Sequence, residues 1–522
     1  MEASGRPGAA GNWRALRAYG LLTAVILSGL ALRVWGINFG LPYIYHPDEP
    51  GYVQIAQSIF KTGDLNPHFF NYPSVFFYIN ALAYIPYYLT GKAIGLFQSP
   101  DTIPGVKMLA MGTGQALMST TFLLGRGVTA IFGSVSLVVL FLCGRQLSGS
   151  YTMGLLAALM MAVSPTSVLI SHYITPDTFV AFFVLLSLWA SIRVLQEGKT
   201  WHYAAAGIAI GLSASTKYNA AIIVFCLIAA HALRCGAKSL KEPRFYFALA
   251  LSAAAFFLST PFALLDHQKF LADLQLEAQH YSTGHAGMEG DSLHWYVSYL
   301  WQTEGPVTLA AIAAVVWGLY TRSRQVILLS VFPLVYFAFI SSFVVRNDRT
   351  LLPLLPFLVL LASCLLVSLA SYAKNQRAII KRLSFLVVLA FALISLVLPF
   401  LRAVESDIHL ASPDGRETSR VWINGNLPKG SRIAIESYSP YIDTHRFSVE
   451  SFNRITDHSP DWYSSNGFDY LVFSEGMFGR FYRQPEIYAS VVSQYDNLFR
   501  AFDMIRSFTD GGYEVRVYRV TR

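Results

Sequence analysis

The 522-residue sequence is poor in charge and in cysteine. Only 13% of its residues are charged, against about 25% in a typical soluble domain, which excludes an ordinary soluble enzyme. The cysteines form no CxxC pair and lie in or beside apolar segments, so no disulfide framework or cysteine metal site is predicted. They are Cys143, Cys226, Cys235 and Cys364.

Several sequence motifs are also missing. No Walker A, GxGxxG or GxSxG motif occurs in a strand-to-helix context, which argues against nucleotide hydrolysis and dinucleotide chemistry. The net charge of +8 reports membrane topology rather than nucleic-acid binding, because lysine and arginine collect between apolar segments. No Asn-x-Ser/Thr sequence is present, which favours a prokaryotic plasma membrane over the endoplasmic reticulum.

Long apolar runs dominate what remains. Stretches of about 17 to 22 apolar residues follow one another, which predicts an all-α polytopic membrane bundle. We expect about eleven spans. The first covers 21–36, and the others lie near 127–144, 153–170, 177–194, 202–215, 219–234, 245–262, 306–320, 326–344, 351–371 and 383–400.

Basic residues set the predicted orientation. Arg6, Arg14 and Arg17 precede the first span, so the N-terminus is expected in the cytoplasm. Alternating the spans then places the remaining clusters of lysine and arginine on the cytoplasmic side. It places the first loop (37–125) and a second loop (263–305) outside. Within the first loop, we expect the aromatic segment near 72–89 to be interfacial.

The hydropathy falls after residue 401, which divides the chain into two predicted domains. Residues 1–401 form the transmembrane domain, and residues 402–522 form a small extracytoplasmic α/β domain. Strands are predicted at 432–436, 470–474 and 513–520, with a helix near 487–507.

The sharpest polar motif is His46-Pro47-Asp48-Glu49, directly after the first span. Carboxylates at a membrane face are costly unless they have partners or a function. Asp48 could simply cap a following helix that has Pro50 in its first turn. That interpretation leaves the paired carboxylates unexplained, so a functional role is favoured.

A second polar motif, Thr175-Pro176-Asp177, opens a predicted span. Thr175 as N-cap and Asp177 beside the helix dipole would explain it structurally. Because the predicted topology puts Asp177 on the same side as Asp48, it is also a candidate for holding a sugar or an acceptor.

Three basic residues on the predicted outer side run against the positive-inside pattern: Lys217, Arg346 and Arg349. Lysine and arginine donors suit phosphate oxygens. Ion pairs with Asp348, Asp48 or Asp177, or snorkelling to the interface, would account for them equally simply. Phosphate is favoured for Lys217, whereas both interpretations stay open for Arg346.

The second loop carries further polar residues and a glycine, and it could form a lid. Its histidines, including His285, lack an HExxH-type spacing, so no metal and no cofactor are predicted.

The order of these motifs resembles the GT-C glycosyltransferases of family 39, which include protein O-mannosyltransferases and lipid A aminoarabinose transferases. The resemblance rests on Asp48-Glu49, Tyr72-Pro73, Pro176-Asp177, Lys217-Tyr218 and Arg349-Thr350-Leu351-Leu352-Pro353. The aminoarabinose branch has Lys-Pro-Pro where this chain has Tyr72-Pro73-Ser74, which argues against a simple lipid A modification.

The resemblance implies inverting transfer of a hexose or pentose, mannose-type favoured, from polyprenyl phosphate to an acceptor hydroxyl on protein, lipid or glycan. Asp48, with Glu49 beside it, would be the catalytic base, and a partly desolvated carboxylate there should have a raised pKa. The roles of the other residues would be phosphate binding by Lys217, Arg346 and Arg349, and sugar or acceptor binding by His46, Asp177, Tyr218 and His285.

The cleft for the polyprenyl chain would include Phe76, Phe77 and Tyr78. The sequence therefore predicts a multi-pass plasma-membrane enzyme whose partners are membrane lipids, a lipid-linked sugar and its acceptor, and not nucleic acid. A polytopic transporter or a flippase for lipid-linked sugars is the main alternative. It would place its ionisable residues near the bilayer midplane in two repeated halves.

Overall fold

The computed structural model describes residues 9–521 and is mostly helical. Arg6, one of the residues behind the predicted orientation, lies outside this range. The first part of the chain contains these helices: α1 Ala9–Val34, α2 Glu49–Thr62, α3 Val75–Ala93, α4 Ser119–Ser148, α5 Tyr151–Ala162, α6 Pro165–Ile170, α7 Asp177–Gln196, α8 Thr200–Ala214, α9 Val224–Cys235, α10 Pro243–Ser259, α11 Phe262–Leu265, α12 His267–Thr283, α13 Ser292–Tyr320, α14 Arg324–Ser341, α15 Leu355–Lys374 and α16 Ala378–Ala411. Short 3-10 helices at Tyr218–Ile223 and Asp348–Leu354 precede α9 and α15.

Within residues 9–521, eight helical segments are long and apolar enough to cross a membrane. They contain α1, α4, α7, α9, α13, α14, α15 and α16, and the shorter helices α5 and α10 are also apolar. The all-α membrane bundle is therefore confirmed, whereas the count of about eleven spans stays a prediction. The interfacial position of the aromatic segment, which forms α3, also stays a prediction.

One predicted span is interrupted. The segment 153–170 contains α5, which ends at Ala162, and α6, which begins at Pro165 after Ser164. The Ser164 side chain accepts a hydrogen bond from the Ser167 amide, as an N-cap does, and proline suits the first helical turn. The break turns the chain toward the Thr175-Pro176-Asp177 motif.

Small residues allow close packing inside the bundle. A Cβ atom added at Gly207 of α8 would lie 2.2 Å from the Ala248 carbonyl oxygen of α10, and one at Gly211 would lie 2.4 Å from that of Ser252. Gly207 and Gly211 are four residues apart, which is the spacing by which small residues bring membrane helices together. It fixes the end of α8, from which Lys217 follows.

The first loop contains a three-stranded antiparallel sheet with the order β1–β3–β2, made of β1 (Tyr43–Ile44), β2 (Val106–Ala110) and β3 (Thr113–Ala116). The hairpin between β2 and β3 reaches the C-terminal region. The Tyr438 amide donates to the Met111 carbonyl at 2.9 Å, and the Thr113 hydroxyl donates to the Ser439 carbonyl at 2.7 Å. The first loop and the C-terminal region are thus held together.

The C-terminal region is a small α/β unit. Its helices are α17 Gly415–Asn426, α18 Pro460–Ser465, α19 Glu475–Tyr482 and α20 Ala489–Ala501, and its strands are β4 Arg432–Ile435, β5 Ser448–Ser451, β6 Tyr470–Ser474, β7 Asp503–Phe508 and β8 Val515–Arg519. The sheet order is β5–β4–β6–β8–β7, with β8 antiparallel to both of its neighbours.

The strands predicted at 432–436, 470–474 and 513–520 correspond to β4, β6 and β8. The helix predicted near 487–507 is wrong at its end, because α20 stops at Ala501 and β7 follows. Pairing with β8 buries Phe508 against the sheet, and this tertiary contact overrides the local helical pattern. Helix α16 continues through residues 401 and 402 to Ala411, so the two predicted domains share a helix.

The predicted orientation can be checked by cysteine labelling. In a variant without the native cysteines, Asp101→Cys in the first loop should react with a membrane-impermeant maleimide added outside intact cells. Lys241→Cys should react only after permeabilisation. Both positions are exposed, so the comparison reports sidedness rather than burial. Labelling of position 241 from outside would invert the predicted topology.

Candidate active site

Asp48 lies at the start of α2 but does not cap it. It occupies the N-cap position, yet its side chain makes no capping hydrogen bond. Instead, Asp48 Oδ2 accepts a hydrogen bond from Arg349 Nη1 at 2.6 Å. The Asp48 side chain therefore does not serve as a helix cap. It forms an ion pair with a residue that is far away in the sequence.

Asp177 and Lys217 form a second ion pair beside the first. Lys217 Nζ donates to Asp177 Oδ1 at 2.8 Å, and the two residues are 5% and 1% exposed. Arg349 Nε lies 3.9 Å from Asp177 Oδ2, and that oxygen has no hydrogen-bond partner. Asp48, Arg349, Asp177 and Lys217 thus make one continuous ion-pair chain.

Local backbone structure places each member of the ion-pair chain at the end of an element. Arg349 lies in the first turn of the 3-10 helix Asp348–Leu354, where the Asn347 side chain accepts from the Arg349 amide at 3.2 Å. Asp177 opens α7, but Pro176 holds the N-cap position and the buried Thr175 hydroxyl has no partner. Thr175 as the cap, the structural alternative, is therefore wrong.

Glu49 has a separate partner. Its carboxylate accepts two hydrogen bonds from Arg126 of α4, at 3.0 and 2.7 Å, and one from the Ile174 amide at 3.1 Å. Both charged side chains are fully buried, and Arg126 also donates to the Ile37 and Phe39 carbonyls. This bidentate pair fixes the beginning of α2 against α4 and the 171–176 turn.

His46 lies next to the ion-pair chain. Its Nδ1 accepts a hydrogen bond from the Asp48 amide at 3.3 Å, and its ring packs on Tyr173 at a centroid distance of 4.6 Å. Burial lowers the pKa of the imidazole, and this outweighs the attraction of Glu49 and Asp48. The side chain is therefore neutral, with its proton on Nε2.

The three other candidates bond to groups outside the ion-pair chain. The Tyr218 hydroxyl donates to the Phe70 carbonyl at 2.8 Å and so holds the first loop. Arg346 donates to the Glu289 carbonyl, and His285 stacks on His280 at 5.6 Å. Both of these contacts are with residues of the second loop, Glu289 and His280.

An apolar cavity of about 380 Å³ adjoins Lys217. Its lining includes Tyr218 and Tyr72 of the Tyr72-Pro73 motif. It also includes residues that the sequence motifs do not contain: Asn71, Asn219, Ile222, Leu274, Glu277, Ala278, Tyr281, Phe339 and Phe343. Phe76 and Phe77 are not among them, because both are fully buried and pack against Tyr52. The packing of Phe76 and Phe77 in the interior is confirmed, whereas the position of the lipid cleft stays a prediction.

The electrostatics of Asp48 also differ from the expectation of a raised pKa. Burial raises the pKa of its carboxyl, but the positive charges of Arg349 and Lys217 hold it below its usual value. For Lys217, burial lowers the pKa, but the attraction of Asp177 together with that of Tyr281, Tyr72 and Tyr336 outweighs burial and holds the pKa well above its ordinary value. The site thus keeps Asp48 and Lys217 ionised.

The sequence and the fold of this chain are similar to those of known membrane proteins. The family model described as dolichyl-phosphate-mannose-protein mannosyltransferase matches residues 106–260, which include Arg126, Asp177 and Lys217. No curated protein matches the sequence. The structure of ArnT from Cupriavidus metallidurans in the apo state is similar over 98% of both chains, with a TM-score of 0.53 and 15% identity.

The chain has a GT-C fold. Two further GT-C structures are similar. ArnT bound to undecaprenyl phosphate has a TM-score of 0.51, 15% identity and 98% coverage of both chains. Archaeal oligosaccharyltransferase AglB from Archaeoglobus fulgidus, in complex with an inhibitory peptide and a dolichol-phosphate, has a TM-score of 0.53 and 11% identity over 98% of this chain and 75% of its own.

The Glu49–Arg126 pair generates a stability prediction. Glu49→Ala should destabilise the protein by about 3–5 kcal/mol, because it leaves the Arg126 charge buried without its partner. The double variant Glu49→Met/Arg126→Met should recover much of the loss. Thermal unfolding in lipid nanodiscs would measure both, with Asp101→Ala as a surface control. Equal loss in the single and double variants would contradict an uncompensated charge as the cause.

Proposed function

We propose that this protein is a membrane glycosyltransferase that moves a sugar from a polyprenyl phosphate carrier to an acceptor hydroxyl. The observation that carries the proposal is the ion-pair chain, whose Lys217 lines the apolar cavity. It offers two cations for a phosphate, and Asp48 as a carboxylate for a hydroxyl proton. The GT-C fold supports this assignment, as do the polyprenyl phosphate and dolichol-phosphate bound to similar structures.

The donor fits on the Lys217 side. Lys217 lines the apolar cavity together with Tyr72, Tyr281 and Phe339, so a lipid chain in that cavity would bring its phosphate to the ammonium group. Arg349 lies near the same ammonium group, because its Nε is 3.9 Å from Oδ2 of Asp177, the partner of Lys217. Lysine and arginine donors would then stabilise the phosphate charge as it grows in the transition state.

Asp48 takes the role of general base. The acceptor oxygen forms a bond to the anomeric carbon while the bond from that carbon to the phosphate oxygen breaks. The acceptor proton passes to Asp48, and the electron pair of the broken bond leaves on the polyprenyl phosphate. Attack opposite to the leaving phosphate inverts the anomeric configuration.

Arg349 links donor binding to the base. In this structure it holds Asp48 at 2.6 Å, and a bound phosphate would compete for the same guanidinium. When Arg349 turns to the phosphate, Asp48 loses its strongest stabilising charge and becomes a better proton acceptor. The base would therefore be activated by the arrival of the donor.

The other candidates take supporting roles. Glu49 is engaged by Arg126 and positions Asp48 rather than transferring a proton. Asp177 holds Lys217, and His46 fixes the backbone of Asp48 through its amide. We propose that the sugar is a hexose or a pentose, with a mannose-type sugar favoured. We also propose that the enzyme lies in the plasma membrane with its C-terminal domain outside.

Turnover can be tested with purified protein in nanodiscs by measuring release of polyprenyl phosphate from mannose, glucose, galactose and arabinose donors, with crude envelope as acceptor. Asp48→Asn should lower turnover by about 10²–10⁴-fold, because the base is lost, while donor binding persists. Lys217→Met should lower it by about 10²–10³-fold. Asp101→Asn is the matched control on the same loop. No release by folded wild-type protein would favour the transporter alternative.

The pH dependence tests the link through Arg349. Because the pKa of Asp48 lies below its usual value in the free protein, kcat/KM should fall only as the pH drops through that low pKa. The acid limb of kcat, which reports the donor complex, should lie at higher pH, since the phosphate draws Arg349 away. If kcat and kcat/KM instead fall at the same pH, Arg349 stays paired with Asp48 when the donor binds.

A further inference from the structure

A second cavity, the polar cavity, lies between the first loop and the C-terminal region. Its volume is about 590 Å³, which is within the range of sites for small molecules. Four parts of the chain line it: the first loop at 38–41 and 45–47, the turn before α7 through Tyr173, the end of α16 and the residues after it at 409–414, and the C-terminal unit through Arg416, Glu417 and residues 512–513.

The polar cavity reaches the proposed base through His46. This residue lines the cavity, and its Nδ1 accepts the hydrogen bond from the Asp48 amide. The polar and apolar cavities share no lining residue, so they are separate openings. If the lipid carrier occupies the apolar cavity, the polar cavity is left for the acceptor.

The charges in the polar cavity are already paired. Arg416 makes a bidentate contact with Asp414 at 2.9 and 2.8 Å and also donates to the Tyr45 carbonyl. Glu417 is held by Arg420 and by the Tyr45 hydroxyl. The lining holds two carboxylates, Asp414 and Glu417, and one guanidinium, Arg416, so a phosphate would meet an excess of negative charge, which disfavours an anionic acceptor.

The remaining lining combines aromatic rings with neutral hydrogen-bonding groups. Tyr173 and Tyr513 contribute aromatic rings, and Asn38 contributes an amide. His46 supplies a neutral Nε2–H donor. Acyl chains would leave these polar groups unsatisfied, whereas a sugar ring has apolar C–H faces for the rings and hydroxyls for the amide and imidazole.

We infer that the polar cavity binds a neutral carbohydrate, whose hydroxyl is the acceptor of the transferred sugar. The inference rests on the proposed function for the identity of the reaction, but the binding itself is independent of turnover. It also gives the C-terminal unit a direct role, because Tyr513 and the Asp414–Arg416 pair form part of the acceptor site.

Binding can be measured by saturation-transfer NMR on the full-length protein in nanodiscs. The probes are methyl glycosides of neutral mannose, glucose and arabinose disaccharides, a phosphorylated disaccharide, and a serine- and threonine-rich peptide. At least one neutral disaccharide should bind saturably. Its affinity should fall at least tenfold in Tyr513→Ala and in Asn38→Ala. Tyr482→Ala, a change of a partly exposed tyrosine outside the cavity, should leave the affinity unchanged.

A second measurement separates this inference from the proposed function. Hydrolysis of the lipid-linked donor by water, without acceptor, should occur in the wild type and should be unchanged in Tyr482→Ala. Loss of donor turnover in the wild type with retained disaccharide binding would refute the proposed reaction only. Binding of the peptide or the phosphorylated probe alone, or of no probe to folded protein, would overturn the carbohydrate site.

Discussion

The structure depends on the neutralisation of charges that the apolar bundle cannot leave unpaired. Lys217 and Asp177 are nearly inaccessible to solvent, and an uncompensated ion there would cost several kcal/mol. The chain meets this constraint by bringing together the ends of four elements that are far apart in sequence. The ion-pair chain is the result, and the paths of the 3-10 helix before α15 and of the turn before α9 are set by it.

The same constraint prepares the site for an anionic ligand. A phosphate can replace a carboxylate as the partner of Lys217 or Arg349 without exposing either cation to an apolar environment. The cost of burying the cations is therefore already met in the folded protein, and preorganised charges of this kind act strongly where water is excluded.

The sequence predicted much of this site because membrane proteins rarely tolerate charge without a purpose. That reasoning points to four residues of the site: Asp48, Asp177, Lys217 and Arg349. The alternative, in which these residues pair with one another, describes their ligand-free state. The sign of the Asp48 pKa shift could not be predicted, because Arg349 is 301 residues away in sequence. Aromatic patterning likewise could not separate the packed Phe76 from the cavity residue Tyr281.

The placement of the two cavities bears on the stereochemistry of the proposed transfer. Inversion requires the acceptor and the leaving phosphate to lie on opposite sides of the anomeric carbon. The apolar cavity reaches the ion-pair chain at Lys217, and the polar cavity reaches it through His46 beside Asp48. If the lipid carrier enters by the apolar cavity and the acceptor by the polar cavity, the two substrates reach the ion-pair chain from separate openings, which suits the opposed positions that inversion requires.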